Sequence, residues 1–181
     1  MMSVRDTILH KSYELFYQQG FHDSGVELLA KQAGTTKRTL YAHFGNKEGL
    51  IEAVLDYRHQ MFMNQLADHF NRCQISTSAA VAQCYLTFLR QWTASADFYG
   101  CMFINACAEY SAADSVPHQI AKQHKGEVRR WLLQHFEQVG ATQAQQKADM
   151  LFVWGEGLIV TAQTDQQPLM LDDALLQAFD G

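Results

Sequence analysis

The sequence has few residues that break helices and no long apolar run. Only 2 of its 181 residues are proline, and the longest uninterrupted apolar run, residues 150–154, has five members. A membrane-spanning helix needs about 20 apolar residues, so we expect no association with a membrane. No apolar stretch follows the first basic residue, Arg5. This argues against a secretory signal and favours a cytoplasmic location.

Cysteines are also scarce. The sequence contains 4 of them, at positions 73, 84, 101 and 107, and no two form a C-x-x-C pair. A chain of 181 residues can bury a stable core without cross-links, and thiols are normally reduced in the cytoplasm. We therefore expect four free thiols.

The motifs of several enzyme classes are absent. The sequence has no Glu-x-x-His pair for a di-iron centre, no glycine-rich phosphate loop, no His-Glu-x-x-His and no Cys-x-x-Cys-His. These absences disfavour an all-α enzyme, which is the alternative of another functional class. We expect no catalytic residues, no cofactor and no metal site.

Basic residues are fewer than acidic ones, 14 against 19, for a net charge of −5. The deficit is uneven, because residues 1–60 hold seven of each sign while residues 61–181 hold seven basic and twelve acidic residues. Residues 31–47 contain four basic residues and no acidic one. A nucleic-acid-binding protein needs a local basic surface rather than a basic chain. A solvated helix face is the alternative explanation of this patch.

The residues that are frequent in the chain favour helices. Ala, Leu, Gln and Glu are common and no sustained period-two alternation occurs, which predicts an all-α protein of about nine helices. Gly20 is placed to end the first helix, and Thr36 to cap the third. Ser24 and Thr142 each begin an S/T-x-x-E/Q capping box. The last helix is expected at about residues 170–179.

One segment has the pattern of a helix-turn-helix. Two short helices, the second at about residues 37–44, are joined by a turn at Gly34, and a long helix starts at Lys47. Small residues, Ala30 and Ala33, stand where the helices must cross closely. In such a motif the second helix enters the major groove of DNA with its N-terminal residues. An ordinary αα-hairpin is the structural alternative.

A set of motifs in the same region carries a more specific signal. They are Gly20-Phe21, Val26-x-x-Leu29-Ala30-x-x-Ala33-Gly34, Thr39-Leu40-Tyr41-x-His43-Phe44 and Lys47-Glu48-x-Leu50. In these motifs the chain resembles the N-terminal domain of the TetR family of transcriptional regulators. The resemblance implies an N-terminal three-helix helix-turn-helix domain, residues 1–48, that binds double-stranded operator DNA. It also implies a C-terminal helical bundle, residues 49–181, that binds a small molecule and dimerises.

The function implied by this resemblance is a homodimeric, ligand-responsive transcriptional repressor on a palindromic operator, released by its small-molecule effector. The alternative within the same fold is a DNA-binding protein controlled by a protein partner or by cysteine oxidation.

The resemblance also implies which residues contact DNA. Gly25 stands where relatives have Ser or Thr, so Ser24 is expected to take over that role. Arg38 stands where relatives often have a small residue or proline, and it adds a positive charge. The predicted DNA-binding residues are Ser24, Thr36, Lys37, Arg38, Thr39, Tyr41, His43 and Lys47. Core packing is the alternative for Tyr41, and a solvated lysine for Lys47.

Residues 80–160 are rich in aromatic side chains, and part of this segment is expected to line the effector pocket. Core packing is the alternative role of each. The predicted pocket residues are Phe88, Trp92, Phe103, Asn105, Glu109, Trp131 and His135. Cys101 stands at the head of a helix, where the dipole favours a thiolate, so it is a candidate redox sensor. A small core residue is its alternative role.

Apolar residues recur at helical spacing near the C-terminus and predict a buried helix face. In the family, the last two helices form the dimer interface. The predicted interface residues are Leu151, Phe152, Gly155, Leu158, Ile159, Ala162 and Leu175. An internal core stripe is the alternative.

Overall fold

The chain is almost entirely helical, as the composition predicts. A computed structural model describes residues 2–166 and 176–179, and within these residues it contains eight α-helices and no strand. The helices are α1 (Val4–Gln19), α2 (Val26–Gln32), α3 (Lys37–Phe44), α4 (Lys47–Phe70), α5 (Ser78–Thr93), α6 (Met102–Glu109), α7 (Val116–Gln138) and α8 (Ala144–Gln163). Most of the ninth predicted helix, at residues 170–179, and Leu175 with it, lies outside the described residues.

Two of the predicted helix boundaries are confirmed. Gly20 ends α1 with φ +83°, and its N–H donates to the carbonyl oxygen of Phe16. This left-handed backbone suits glycine because glycine has no Cβ. Thr36 caps α3, since its hydroxyl oxygen accepts a hydrogen bond from the Thr39 N–H at 3.2 Å.

The two predicted capping boxes are wrong. Helix α2 begins after Gly25 and has no side-chain cap, because the Ser24 hydroxyl donates backwards to the Gly20 carbonyl oxygen at 2.7 Å. Helix α8 begins after Gln143, whose backbone is left-handed and whose side chain makes no capping bond. At Ser24 the sequence signal is present, but the hydroxyl bonds to the preceding turn instead of capping α2.

The chain forms two compact units. The N-terminal unit comprises Met1–Met61 and Met102–His124, and the C-terminal unit comprises Phe62–Cys101 and Lys125–Gly181. Helices α4 and α7 contribute residues to both. This structural division differs from the functional boundary predicted at residue 48, which stays a prediction.

Helices α1, α2 and α3 pack on one another in the N-terminal unit. Its fully buried side chains include Ile8, Phe16, Leu29, Leu40 and Leu50. Leu40 is the buried residue of α3, so this short helix has one side on the core and the opposite side in solvent. That arrangement positions the polar residues of α3 on the surface.

A disulfide bond in the C-terminal unit corrects the expectation of four free thiols. Cys73, in the turn after α4, is bonded to Cys84 of α5, while Cys101 and Cys107 are not part of a disulfide. Their Cα atoms are 6.5 Å apart, which is within the usual range for a disulfide. The spacing of the cysteines in the sequence does not indicate this disulfide, because the turn between α4 and α5 brings Cys73 and Cys84 together.

Helices α5 and α8 pack closely in the C-terminal unit, and Gly155 allows this approach. A Cβ atom at Gly155 would lie 2.7 Å from Cε1 of Tyr85 and 2.8 Å from Cδ1 of Leu89. Leu151, Leu158 and Ile159 are buried in the same chain. These four residues therefore belong to the core of the protomer, which corrects their assignment to a dimer surface.

The outward side of α8 carries different residues. Val153 is 63% exposed and Val160 is 46% exposed, and Gly157 between them is also exposed. Phe152 and Ala162, the other predicted interface residues on this helix, are half-buried.

Candidate nucleic-acid interface

The turn between α2 and α3 is tight. Gly34 adopts φ +61°, and the Thr35 N–H donates to the Ala30 carbonyl oxygen at 2.9 Å. The turn brings the Thr36 cap directly to the start of α3. The first turn of α3 therefore presents its backbone N–H groups outward beside basic side chains, which is the arrangement that binds phosphate at helix N-termini.

Arg38 is an accessible predicted contact. It lies in the first turn of α3 and is exposed. Within the part of the chain that the structure describes, its guanidinium has no hydrogen-bond or ion-pair partner. The group is therefore available to a phosphate or to the O6 and N7 atoms of guanine.

Lys37 is exposed but already paired. Its Nζ atom lies 2.9 Å from Oε1 of Glu27 on α2 and 5.9 Å from the Tyr41 ring centroid. The pairing raises the pKa of Lys37 and lowers the pKa of Glu27, in both cases chiefly through their hydrogen bond. Glu27, which lies just outside the basic segment 31–47, thus neutralises the charge of Lys37. Lys37 must leave Glu27 in order to bind a phosphate.

Lys47 lies at the start of α4. Its Nζ atom donates to the carbonyl oxygen of His22 at 3.4 Å. Partial burial lowers the pKa of Lys47, and the nearby Glu109 and Asp23 oppose that shift. The lysine therefore connects α4 to the turn after α1, and its side chain is half-buried.

The remaining predicted contacts divide into surface and core. Thr36 and His43 are exposed, and Thr39 and Tyr41 are half-buried. Ser24 is fully buried and bonded to Gly20, so it does not reach a DNA surface. Its predicted role in DNA binding is corrected for that reason.

Two residues of this region, Arg5 and Gly49, were not predicted from the sequence. The Arg5 guanidinium carbon lies 5.0 Å from the ring centroid of Phe44, which connects α1 to α3. The Asn46 side-chain oxygen accepts the Gly49 N–H at 2.8 Å and so caps α4. The glycine is required there, because a Cβ atom would lie only 2.2 Å from the Phe44 carbonyl oxygen. The sequence signal for the cap is an Asn directly before the first residue of the helix.

Glu109 holds the turn between α1 and α2. Its carboxylate accepts the Phe21 N–H at 3.0 Å and the His22 N–H at 2.6 Å. The adjacent Tyr110 ring lies 4.8 Å from the His22 ring, and burial, together with Glu109 and Glu48, raises the pKa of Tyr110. These contacts correct the assignment of Glu109 to a ligand pocket, since both carboxylate oxygens are engaged by the turn.

The other predicted pocket residues pack mainly with neighbouring rings. In the N-terminal unit, Phe103 stacks on His124 at a centroid distance of 3.6 Å, and Asn105 is half-buried. In the C-terminal unit, Trp131 contacts both Phe70 and His135. Phe62 contacts the other two predicted residues there, Phe88 and Trp92.

A groove of about 620 Å³ lies between α5 and α8 in the C-terminal unit. Its walls include Thr87, Arg90, Leu158 and Thr161, and none of the seven predicted pocket residues lines it.

Cys101 is buried beside two charged side chains of the C-terminal unit. The Lys125 Nζ atom lies 3.4 Å from its sulfur and 2.7 Å from both carboxylate oxygens of Glu156. Burial favours a neutral Lys125, but Cys101 and Glu156 outweigh it and raise the pKa of the lysine. Burial, Glu156 and Cys101 together raise the pKa of Tyr85. These contacts place the Lys125 ammonium next to the Cys101 sulfur.

None of the helices described is long and apolar enough to cross a membrane.

Three short helices on a shared core, with an arginine exposed on the first turn of the third, define a helix-turn-helix protein. The family model "Bacterial regulatory proteins, tetR family" matches residues 8–54. In residues 8–54 the chain is therefore similar to the TetR family of bacterial regulatory proteins.

Similar proteins agree with this match. The HTH-type transcriptional repressor ComR of Escherichia coli K12 is 33% identical over 107 residues, which cover 59% of this chain and 51% of ComR. The HTH-type transcriptional regulator UidR of the same strain is 37% identical over 52 residues, 29% of this chain and 26% of UidR. The chain thus matches about half or less of these relatives. Both are named as regulators of transcription.

Solved structures show the same fold. A putative TetR transcriptional regulator from Streptomyces avermitilis superposes with a TM-score of 0.84 at 24% identity, covering 98% of this chain and 96% of that one. A TetR-family regulator from Streptomyces coelicolor gives 0.82 at 22% identity, with coverage of 97% and 89%. The all-α, helix-turn-helix architecture predicted from the sequence is therefore confirmed.

Proposed function

We propose that this protein is a cytoplasmic transcriptional repressor that binds a palindromic DNA operator as a homodimer and releases it when a small molecule binds. The observation that carries the DNA-binding part is Arg38, which is exposed and unpartnered within the described residues on the first turn of α3. Such a residue suits a recognition helix, because the N-terminal half of that helix enters the major groove.

Lys37, Thr36, His43 and Lys47 complete the proposed surface around Arg38. Thr36 and its neighbour Thr39 have hydroxyls 3.0 Å apart, close to the N–H groups of the first turn. These groups suit phosphate contacts, which fix the position of the protein on the duplex, while Arg38 reads a base edge.

Binding can be tested without knowing the operator. Full-length protein is used to select duplexes from a random double-stranded DNA library, and the enriched sequences are compared. We expect an inverted repeat with half-sites about one helical turn apart or slightly more, because a two-fold dimer imposes two-fold symmetry on its site. Enrichment of no sequence, or of one without symmetry, would contradict the proposal.

The dimer is proposed to form through the outward side of α8. Val153 and Val160 are large apolar side chains in solvent there, with Gly157 between them. Val153, Gly157 and Val160 are spaced by four and three residues, so they lie along one helix face. A second copy of the same helix would bury this face at a symmetric contact.

The small-molecule response is proposed to act through α6. Residues 102–124 belong to the N-terminal unit, and Glu109 at the end of α6 holds the turn between α1 and α2. A ligand that displaced α6 would therefore act directly on the helix-turn-helix. To reverse occupancy from 1:99 to 99:1, the ligand must prefer one state by about 5.5 kcal/mol.

Oxidation of Cys101 is a second candidate trigger, and the Lys125 contact favours it. The ammonium 3.4 Å from the sulfur is an electrostatic partner for a thiolate. A peroxide would take two electrons from that thiolate, giving a sulfenate and water. Because Cys101 is 3% exposed, the reaction would require local opening of the C-terminal unit.

A further inference from the structure

The end of α4 and the start of α5 bring three potential metal ligands together. They are His69, on the last turn of α4, Cys73, in the turn that follows, and Cys84 on α5. One ligand atom from each residue, the two sulfurs and an imidazole nitrogen, lies within 4.8 Å of the other two. We refer to these three residues as the His69–Cys73–Cys84 cluster.

The cluster lies within 16 consecutive residues of the C-terminal unit, so its geometry is set locally. His69 and Cys73 are four residues apart, and the Cys73 sulfur is 3.4 Å from the His69 carbonyl oxygen. Cys84 is buried, and the other two residues are half-buried. The His69 ring lies 5.7 Å from the Phe88 ring, which limits its orientation.

The donor set has a definite chemical preference. Thiolates are soft ligands that select Cu⁺ and Zn²⁺ over hard cations, and imidazole suits the same two metals. Metal–sulfur bonds of about 2.3 Å and metal–nitrogen bonds of about 2.0–2.1 Å place the donors of one ion roughly 4 Å apart. The spacing within the cluster is compatible with that distance after a small adjustment of side chains.

We propose that the His69–Cys73–Cys84 cluster, once its disulfide is reduced, binds one thiophilic d¹⁰ metal ion, Zn²⁺ or Cu⁺, through two thiolates and one imidazole. A zinc ion would take a water as its fourth ligand, whereas Cu⁺ is satisfied by three. The cluster is thus a site with two exclusive states, since two sulfurs bonded to each other do not also bind a metal.

Conversion of the disulfide state to the metal-binding state requires a small thiol as the reductant. Two molecules of that thiol supply two electrons and two protons to the Cys73–Cys84 bond, and are themselves joined in a disulfide. The two protein thiols formed then lose their protons to solvent as the ion binds. Metal uptake therefore needs prior reduction. In the reverse exchange a small disulfide takes two electrons from the two cysteines and becomes two thiols, the Cys73–Cys84 bond re-forms, and the ion is released.

The experiment uses the full-length protein, reduced, desalted without oxygen and checked for four titratable thiols. Zinc is titrated against a colorimetric zinc chelator, and Cu⁺ against a Cu⁺-specific chelator. We expect one ion per chain in at least one of the two titrations. X-ray absorption of the metal-loaded protein should show two sulfur ligands and one nitrogen ligand. The arm that gives the tighter complex identifies the metal.

Four variants separate this site from other thiols. Cys73→Ser and Cys84→Ser should each weaken binding by about 100-fold or more, since even outer-shell substitutions cost about 10–100-fold. His69→Gln should weaken it and remove the nitrogen signal. The matched control, Cys101→Ser with Cys107→Ser in one chain, should bind like the parent.

A comparison within the parent sequence guards against misfolded variants. The same protein with the disulfide intact, as shown by two titratable thiols, should bind no ion, and reduction should restore uptake. If reduced parent fails to compete with either chelator, or if the Cys101 and Cys107 control loses the ion, the proposal is wrong.

Discussion

The carboxylate of Glu109 accepts the backbone N–H of His22 at 2.6 Å. Its other oxygen accepts the Phe21 N–H at 3.0 Å, so one side chain at the end of α6 satisfies two donors of the turn between α1 and α2. The residues lie 87 and 88 positions apart in the chain. The helix-turn-helix therefore depends on a segment outside residues 1–61.

Replacing this carboxylate should loosen the turn. Glu109→Gln keeps one acceptor but turns an amide N–H₂ group toward a backbone donor, and hydrogen bonds to charged groups contribute about 1.5–3 kcal/mol. We expect the free energy of unfolding to fall by about that amount in a urea titration. Glu52→Gln, at an exposed position of α4, is the control and should unfold like the parent. Equal stability of the Glu109 variant and the parent would show that the turn does not need the carboxylate.

The start of α4 should not tolerate a side chain at position 49. In Gly49→Ala the new methyl group would lie 2.2 Å from the Phe44 carbonyl oxygen unless the backbone moves, so we expect a lower melting temperature. Gly126→Ala is the matched control, because its methyl group meets nothing within 4 Å. That variant should gain up to about 1 kcal/mol from helix propensity. The prediction fails if both variants respond alike.

The contrast between α3 and Glu109 shows what the sequence could reveal. The bounds of α3 and the Thr36 cap follow from local signals, and the structure confirms both. The Glu109 contacts and the disulfide are tertiary, and no periodicity indicates them. The apolar stripe of α8 correctly predicted a buried face, but periodicity does not say whether the partner is the same chain or another. Gly155 packs against Tyr85 of its own chain.

The oligomeric state should depend on the outward face of α8. Val153→Glu combined with Val160→Glu places charges on that face, and an unpaired charge buried at an interface costs several kcal/mol. We expect the parent to be a dimer by light scattering and this variant to be a monomer with an unchanged circular dichroism spectrum. Val116→Glu, at another valine that is 47% exposed, should remain dimeric. A monomeric parent, or a dimeric double variant, would refute the proposed interface.

The two proposed triggers can be separated at Cys101. If the thiol is the sensor, Cys101→Ser should stay on the selected duplex under a peroxide concentration that releases the parent. Lys125→Met should slow the oxidation of Cys101, because it removes the ammonium 3.4 Å from the sulfur. Lys122→Met, at an exposed position of the same helix, is the control. Release of the Cys101→Ser protein by peroxide at the parent's rate would assign the thiol to packing.

The central claim, that α3 is the DNA-recognition helix, is tested most directly by the salt dependence of binding to the selected duplex. We would measure fluorescence anisotropy for the parent, Arg38→Ala and Arg130→Ala, the last being an exposed arginine of α7. We expect Arg38→Ala to bind about 1–3 kcal/mol more weakly if the arginine reads a base. If it contacts a phosphate instead, the slope of log K against log salt should fall by about 0.9. Arg130→Ala should match the parent. Identical affinity and slope for Arg38→Ala and the parent would contradict the assignment of α3.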